Sequence, residues 1–295
     1  MTDPEVPAPG GTAKLAGHTV ARIGFGAMQL AHEGGERDAA LAILRQAVRA
    51  GVNHIDTAHF YESCNALIHD ALSPYAPELV LVSKVGATRD AAGALVAAQR
   101  PEQLRQQVEA DLTTLGVEQV AVVNLRRADA PPGLIATGDQ KVPVDDQLAE
   151  LSALRDAGKI GAIGLSNVDA GQLRAALPAG IACVQNSYSL LDRAAEDVLA
   201  LCAEHGIAWV PFCPLGSAFA SRPHVTRNPV VVATAAEIGV TPAQVGLAWL
   251  LAHHGNTLLI PGTSSAVHLA ENIAAGGVRL PAAAIAALDQ LAAPE

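Results

Sequence analysis

Eight short apolar runs, each followed by a segment with helical spacing, limit the folds that this 295-residue chain can adopt. Strands that alternate with helices pair in parallel through right-handed crossovers. Eight such units predict a closed (β/α)8 barrel of the TIM type, with an open doubly wound sheet as the alternative. The eight runs are TVARIGFG, VNHIDT, LVLVSKV, VAVVNL, IGAIGLS, IACVQNS, IAWVPF and TLLIPGT.

The segments between the runs have the pattern of amphipathic helices. Leucine and valine recur at three- and four-residue steps, often with a glycine after the last turn, which suits a helix C-cap. The clearest examples are RDAALAILRQAVRAG, RPEQLRQQVEADLTTLG, VDDQLAELSALRDAGK and AAEDVLALCAEHG. Two stretches break the pattern, GATRDAAGALVAAQR and GSAFASRPHVTRNP. We interpret these two as substrate loops or as plain surface excursions.

Composition predicts one domain and excludes several kinds of partner. No shift in composition marks a second domain, so residues 1–295 are predicted to form one barrel, with residues 1–12 as a flexible arm. Hydrophobic residues make up 50% of the chain, enough for a large core. Nineteen Lys and Arg against 29 Asp and Glu give a formal charge of −10. This charge repels nucleic acid and anionic lipid, so neither is an expected partner.

The sequence predicts a cytoplasmic protein without a bound metal. The start MTDPEVPAPGG lacks the pattern of a signal peptide, and no window approaches the ~20 apolar residues of a membrane span. The cysteines form no Cys-x-x-Cys pair, which favours reduced thiols over a disulfide frame or a zinc site. They are Cys64, Cys183, Cys202 and Cys213. The sequence does not indicate an oligomeric state.

Polar residues end strand after strand, and in a parallel barrel these ends form the site. Lys84 closes an apolar strand, so it either reaches solvent or stays in the barrel mouth and needs a carboxylate. Asp56, at the end of the preceding strand, is the predicted partner. A fixed Lys84 cation would lower the pKa of Tyr61, which would then serve as a general acid or base. In the alternative interpretation, Asp56 caps a helix and Lys84 is a surface cation.

Several segments resemble the aldo-keto reductase family and follow the family's order along nearly the whole chain. They are NHIDTAHFY, LVLVSKVG, GAIGLSN, VQNSYSLLDR, PFCPLGS and IPGTSSAVHLAENI. The resemblance implies a (β/α)8 barrel that binds NADP(H) and reduces an aldehyde or ketone to an alcohol, or runs the reverse oxidation. It implies that Tyr61 is the proton donor, that Lys84 tunes its pKa, and that Asp56 anchors the lysine.

The resemblance also implies a cofactor site. Phe212 would stack on the nicotinamide, with Tyr188 as its rival. The other implied cofactor residues are Ser166, Asn167 and Gln185 at the amide, Pro214, Leu215, Gly216 and Ser217 at the pyrophosphate, and Gly262, Thr263, Ser264, Ser265, His268, Glu271 and Asn272 at the adenosine end. Hydroxyls at a predicted helix N-terminus independently favour phosphate binding there. As the alternative, Ser166 and Asn167 are ordinary caps of the helix VDAGQLRAAL.

The fourth strand departs from the family pattern, because Arg126 stands where the resemblance implies a histidine. Arginine cannot transfer a proton, since its pKa exceeds ~12. Arg126 therefore orients a carbonyl, binds a substrate carboxylate or phosphate, or points away and leaves Asn124 as the donor. We therefore include Arg126 among the catalytic candidates.

Two further departures concern the tyrosine loop and the cofactor. Glu62 replaces a glycine after Tyr61, where it is either solvated or raises the pKa of the tyrosine. Gly262 and His268 stand where many family members place Lys and Arg against the 2′-phosphate of NADP. NADP(H) remains favoured, with NAD(H) as the alternative.

Other interpretations stay open from the sequence alone. The small-molecule substrate is a carbonyl or an alcohol, and oxidation of a pyridoxine-like alcohol is the nearest alternative. A slow nucleotide-binding regulatory subunit and an isomerase that uses Lys84 as a Schiff base are the others. His54 is predicted to be a core residue with satisfied hydrogen bonds, and His59 is a candidate substrate contact. Trp209 and Trp249 are predicted to lie in the core.

Overall fold

A parallel sheet is the central element of the computed structural model, which describes residues 7–31, 36–61, 63–131, 133–216 and 223–292. Each strand pairs in parallel with the next one along the chain, so the spatial order follows the sequence order. The strands are β1 (Phe25–Gly26), β2 (His54–Asp56), β3 (Val80–Val85), β4 (Val120–Arg126), β5 (Ile160–Ser166), β6 (Ile181–Gln185) and β7 (Ala208–Trp209).

Segment 257–259 occupies the eighth place of the sheet, between β7 and β1. Thr257 forms a parallel bridge with Trp209, and Leu259 forms one with Ile23. Backbone hydrogen bonds accompany both bridges. The sheet therefore closes on itself, and the predicted (β/α)8 barrel is confirmed.

The helices surround the barrel and agree with the apolar spacing. The four helices predicted from that spacing are confirmed as α1, α3, α4 and α6. Gly116 follows α3 with a φ of 66°, the left-handed conformation of a helix C-cap. In the described residues the helices are α1 (Arg37–Arg49), α2 (Cys64–Leu72), α3 (Pro101–Leu115), α4 (Val144–Asp156), α5 (Ala170–Ala176), α6 (Glu196–Glu204), α7 (Pro229–Ile238), α8 (Pro242–His253), α9 (Ala266–Ala274) and α10 (Ala282–Asp289).

The first apolar run, TVARIGFG, does not form one barrel strand as predicted. Its first part belongs to strand His18–Ala21, which pairs antiparallel with Thr12–Leu15, and its second part enters the barrel, where Ile23 bridges to Leu259 and Phe25–Gly26 pairs with β2. The hairpin buries Leu15 and Val20 against the residues that fill the barrel interior. The run is split because its apolar residues serve two structures, the base of the barrel and the barrel wall.

Residues 7–12, expected as part of a flexible arm, are hydrogen-bonded instead. The carbonyl of Pro9 accepts from the nitrogen of Ile23 at 3.0 Å, and that of Gly11 accepts from Arg22 at 2.9 Å. Residues 1–6 lie outside the described residues.

The stretch after β3 forms a hairpin and not a loop. Strands Ala87–Arg89 and Leu95–Ala97 pair antiparallel. The carboxylate of Asp90 accepts from the nitrogens of Ala92 and Ala94, and these bonds stabilise the turn. The other stretch, GSAFASRPHVTRNP, has its residues 217–222 outside the described residues, and its end forms the 3-10 turn Val225–Arg227 and the start of α7.

The barrel interior is filled mainly by small and β-branched side chains. His54 lies two residues before Asp56 on β2 and shares its inner face. Contrary to prediction, neither ring nitrogen of His54 has a hydrogen-bond partner among the described residues. Burial lowers the pKa of His54 to about 4. Trp209 and Trp249 are buried in the core, as predicted.

Within the residues that the structure describes, no single helix is long and apolar enough to cross a membrane. The pair α7 and α8 reaches that length and apolarity together, with a bend of 94°.

Candidate active site

The strand ends bring Lys84 and Asp56 together in the barrel mouth. β2 and β3 are neighbours, so their inward side chains meet at the carboxyl edge. The Lys84 ammonium donates to the Asp56 carboxylate and to the carbonyl of Thr57, the latter at 2.9 Å. The amide nitrogen of Gln185, from β6 across the barrel, donates to the other oxygen of Asp56 at 2.6 Å. Asp56 and the Thr57 carbonyl therefore fix the position of Lys84, and Gln185 fixes the position of the Asp56 carboxylate.

Tyr61 joins this pair on the loop after β2. Its ring centroid lies 5.1 Å from Lys84 Nζ, and its side chain is partly exposed, whereas Lys84 and Asp56 are buried. Phe60 meets the tyrosine ring edge-on at 5.2 Å between centroids. The site thus has a buried ion pair behind a phenol that faces the mouth.

The pKa of Tyr61 corrects one expectation. Burial raises the pKa of the phenol above its ordinary value, and the Lys84 cation opposes this rise without cancelling it. Lys84 therefore acts in the predicted direction, but the predicted net lowering is wrong. Tyr61 keeps its proton at neutral pH, as a proton donor must.

Lys84 is a permanent cation in this setting. Burial alone would lower its pKa, but Asp56 and Tyr61 together raise it above the ordinary value. Helix α2 begins at Cys64 with Ser63 before it, so Asp56 does not cap that helix. The interpretation of Lys84 as a surface cation is wrong, because only 4% of the residue is exposed.

Arg126 stands at the end of β4 and reaches the mouth. Its guanidinium carbon lies 5.7 Å from the centroid of the Phe212 ring, and its charge lowers the pKa of Tyr61. Asn124 is fully buried, and its amide oxygen accepts from the Cys183 thiol at 3.2 Å. The alternative in which Arg126 points away and Asn124 replaces it is therefore wrong.

Ser166 and Gln185 carry buried polar atoms without partners in the described part of the chain. These atoms are Ser166 Oγ and Gln185 Oε1, at the ends of the neighbouring strands β5 and β6. Asn167 has a φ of 61°, and its amide nitrogen donates to the carbonyl of Ala130 at 2.7 Å. Asp169 is the actual cap of α5, so the capping interpretation of Ser166 and Asn167 is wrong.

Phe212 and Tyr188 differ in their access to the mouth. Phe212 follows β7 and is partly exposed beside Arg126. Tyr188 is fully buried, stacks with Trp249 and donates to Glu196. Tyr188 is a core residue, which leaves Phe212 as the aromatic candidate.

The loop after β7 is tightly constrained. Pro214 and Leu215 are partly exposed in it. Gly216 closes the turn with a φ of 79°, and a Cβ there would lie 1.9 Å from the carbonyl oxygen of Pro223. Only glycine fits this position without a shift of the backbone. Ser217 lies outside the described residues.

The segment after 257–259 forms a helix N-terminus, as predicted. Ser265 caps α9, accepting from the nitrogen of His268 at 3.4 Å, and the Thr263 hydroxyl accepts from the nitrogen of Ser265 at 3.0 Å. Gly262 packs against β1, where a Cβ would lie 2.4 Å from the oxygen of Gly26. The remaining predicted residues differ in exposure: Ser264 and His268 are exposed, Glu271 is partly exposed and Asn272 is buried.

Some of the site residues were not among those predicted. The Thr57 carbonyl is a backbone group and leaves no sequence signal, although it is the second acceptor for Lys84. Gln185 was expected to bind the cofactor but also fixes Asp56. His59, a candidate substrate contact, lies instead with its ring nitrogen 3.3 Å from Asp111. Among the described residues no group of three His, Cys, Asp or Glu is placed to hold a metal ion.

Comparison with known proteins agrees with this barrel. The model of the aldo/keto reductase family matches residues 22–293. The chain therefore belongs to the aldo/keto reductase family.

Similar proteins include enzymes and one cofactor complex. The chain is 40% identical over 290 residues to pyridoxine 4-dehydrogenase of Escherichia coli (strain K12), covering 94% of this chain and 97% of that protein. It is 28% identical to the NADH-specific methylglyoxal reductase of the same organism, covering 89% and 91%. A crystal structure of an aldo-keto reductase from Klebsiella pneumoniae in complex with NADPH matches with a TM-score of 0.81 and 25% identity, covering 96% of each chain.

Proposed function

We propose that this protein is an NADP(H)-dependent oxidoreductase that reduces an aldehyde or ketone to an alcohol, with Tyr61 as the proton donor. The observation that carries the proposal is the buried Lys84–Asp56 pair next to a protonated phenol at the barrel mouth. Membership of the family supports the same reaction class.

The cofactor assignment rests on groups that suit a nicotinamide nucleotide. A carboxamide supplies a donor and an acceptor, which match Gln185 Oε1 and Ser166 Oγ, two buried atoms that have no partner within the described ranges. Phe212 offers a partly exposed apolar ring, and the N-terminus of α9 favours a phosphate. The Klebsiella pneumoniae complex favours NADPH, whereas the NADH-specific relative keeps NADH as the alternative.

The chain's own residues would move and stabilise the proton. The cofactor, when bound, would supply the hydride that the carbonyl carbon needs. Tyr61 donates its proton to the carbonyl oxygen, and the Lys84 cation stabilises the phenolate that remains. Asp56 and the Thr57 carbonyl fix Lys84 before the reaction. Arg126, whose charge acts on the Tyr61 phenol, would polarise a substrate oxygen in place of the histidine that the resemblance implies.

Oxidation of a pyridoxine-like alcohol is the second candidate function. It is favoured by the 40% identity to pyridoxine 4-dehydrogenase over nearly the whole of both chains. The substrate panel therefore includes pyridoxine with the oxidised cofactor and the corresponding aldehyde with the reduced one.

The Schiff-base alternative conflicts with the state of Lys84. A Schiff-base lysine attacks as the neutral amine, which requires a lowered pKa. The pKa of Lys84 is raised, and its ammonium is bound to a carboxylate. Borohydride trapping with a carbonyl substrate should leave the protein unmodified at Lys84.

The first experiment is a titration with NADPH and with NADH, followed by nicotinamide fluorescence. Turnover of a panel of aldehydes is then compared for the wild type, Tyr61→Phe and Tyr75→Phe. Tyr75 is the matched control, because its hydroxyl donates to the Leu115 carbonyl away from the mouth. We expect tight NADPH binding in all three proteins and a kcat about 10²- to 10⁴-fold lower in Tyr61→Phe alone.

Each outcome decides between the proposed functions. NADPH binding without turnover of any carbonyl or alcohol would favour the regulatory subunit. Binding of neither nucleotide would refute the oxidoreductase. Equal turnover in Tyr61→Phe and the wild type would refute the role of the phenol. The cytoplasmic location and the absence of a nucleic-acid partner stay predictions from the sequence.

A further inference from the structure

A fully buried carboxylate lies behind the catalytic candidates, outside the barrel wall. Asp111, on α3, has no exposed surface. It accepts hydrogen bonds from the Ser83 hydroxyl at 2.5 Å and from the Asn65 amide at 2.9 Å. The Nδ1 nitrogen of His59 lies 3.3 Å from Asp111 Oδ1, the same oxygen that accepts from Asn65, whereas Ser83 donates to Oδ2. One carboxylate thus joins β3, α2 and the loop after β2.

The partners of Asp111 are next to the catalytic candidates in the chain. Ser83 directly precedes Lys84 on β3, and its side chain points outward while that of Lys84 points inward. His59 lies in the same short loop as Tyr61, two residues before it.

Asp56 is connected to Asp111 by one more step. The Thr57 hydroxyl donates to Asn65 Oδ1 at 2.9 Å, and the Asn65 amide nitrogen donates to Asp111. Thr57 directly follows Asp56, and its carbonyl accepts from Lys84. Lys84 and Tyr61 are therefore adjacent, or nearly adjacent, to a residue that contacts Asp111, and Asp56 is linked to it indirectly, through Thr57 and Asn65.

The position of Asp111 in its helix is unusual. It lies on the buried face of α3 with Leu104, Val108 and Leu115, at the three- and four-residue steps of an apolar stripe. Burial of a carboxylate there is costly unless every acceptor site is used. The hydrogen bonds offset this cost only when Ser83, Asn65 and His59 are all in place. Asp111 therefore couples the positions of these three residues.

We propose that Asp111 is a positioning residue, which sets the distance between Tyr61 and Lys84 from behind the barrel wall. This inference rests on the proposed function, because it assigns Asp111 a role through those two groups. Asp111 touches neither substrate nor cofactor in this arrangement.

The test replaces Asp111 with asparagine, which keeps the shape and turns one acceptor into a donor. That donor faces the Ser83 hydroxyl or the Asn65 amide, both of which donate to position 111. Because small errors in position are costly in catalysis, we expect kcat to fall about tenfold. The Kd for NADPH and the KM for the carbonyl should stay within about twofold of wild type, since their contacts lie elsewhere.

A double variant separates positioning from general loss of structure. If Asp111 acts through Tyr61, then Asp111→Asn should change the residual kcat of Tyr61→Phe by less than about twofold. A variant that only lowers the folded fraction would reduce both backgrounds by the same factor. Equal factors in both backgrounds would overturn the inference.

A milder variant and a control keep the inference testable if Asp111→Asn folds poorly. Ser83→Ala removes one bond to Asp111 and should lower kcat about two- to fivefold, again only when Tyr61 is present. Tyr75→Phe removes a 2.6 Å bond to Leu115, one turn further along α3, and should leave kcat unchanged. If Ser83→Ala and Asp111→Asn, each as a single variant, both keep the wild-type kcat, the inference is overturned. Wild-type kcat in Tyr61→Phe would instead refute the proposed function.

Discussion

Replacing His54 with leucine should remove much of the protein's sensitivity to acid. The ring lies inside the barrel, where neither nitrogen has a hydrogen-bond partner among the described residues. It is also confined by the backbone, since a Cβ at Gly24 would lie 2.2 Å from His54 Nε2. Burial lowers the pKa of the folded state from 6.5 to about 4.

The sign and size follow from proton linkage. Between the two pKa values the unfolded chain binds the proton and the folded chain does not, so acid favours unfolding. Stability from this group is present above pH 6.5 and is lost as pH falls towards 4. The gap, at about 1.4 kcal/mol per pH unit, is worth about 3 kcal/mol. About 1 kcal/mol of it is lost by pH 6 and about 2.5 kcal/mol by pH 4.5.

The assay is urea unfolding at pH 8, 6 and 4.5 for the wild type and His54→Leu. At pH 8 the variant should be at least as stable, because leucine has a similar volume and no unpartnered nitrogen. At pH 4.5 it should be more stable than wild type by a further ~2.5 kcal/mol. His205→Leu, at an exposed position after α6, is the matched control. Parallel losses of stability in wild type and His54→Leu would refute the reasoning.

Two further substitutions test the mouth. Arg126→Met should lower kcat/KM for carbonyl substrates about 10- to 100-fold by removing a charge that polarises the oxygen, with Arg126→Lys intermediate; equal kcat/KM in all three proteins would rule out that role. Gly216→Ala should cost about 1–3 kcal/mol in unfolding free energy and weaken NADPH binding, because its Cβ meets the Pro223 carbonyl. Gly239→Ala, at a similar φ of 71° with nothing within 4 Å, is the control; equal losses in both would show that backbone conformation alone is responsible.

The sequence was informative wherever one local pattern determines the structure. Alternating apolar runs and helical segments predicted the barrel, because parallel strands need helical crossovers. The same rule gathers the strand ends, so the pairing of Lys84 with Asp56 was predictable from the sequence. Glycine after α3 likewise marked the end of that helix at Gly116.

Properties that depend on distant packing were not predictable. The pKa of Tyr61 depends on how much of the phenol is buried, which no local motif encodes. From the sequence, Asp111 only interrupts the apolar stripe of α3. Its role depends on Ser83, Asn65 and His59, which come from other parts of the chain. The division of TVARIGFG between hairpin and barrel was also missed, because its partner in the hairpin, Thr12–Leu15, was not predicted to be a strand.

The closing of the barrel by segment 257–259 has a consequence for how the chain folds during synthesis. The wall cannot join until that segment has left the ribosome. β1 therefore has an unpaired backbone edge for most of translation, and β7 has one from its own synthesis until segment 257–259 emerges. Arg22, which precedes β1, then links the first strand to the last part of the wall, since its side chain donates to the carbonyls of Leu251, His254 and Thr257. A nascent chain stopped just short of this segment should therefore be prone to aggregation, whereas the complete chain seals both edges against itself.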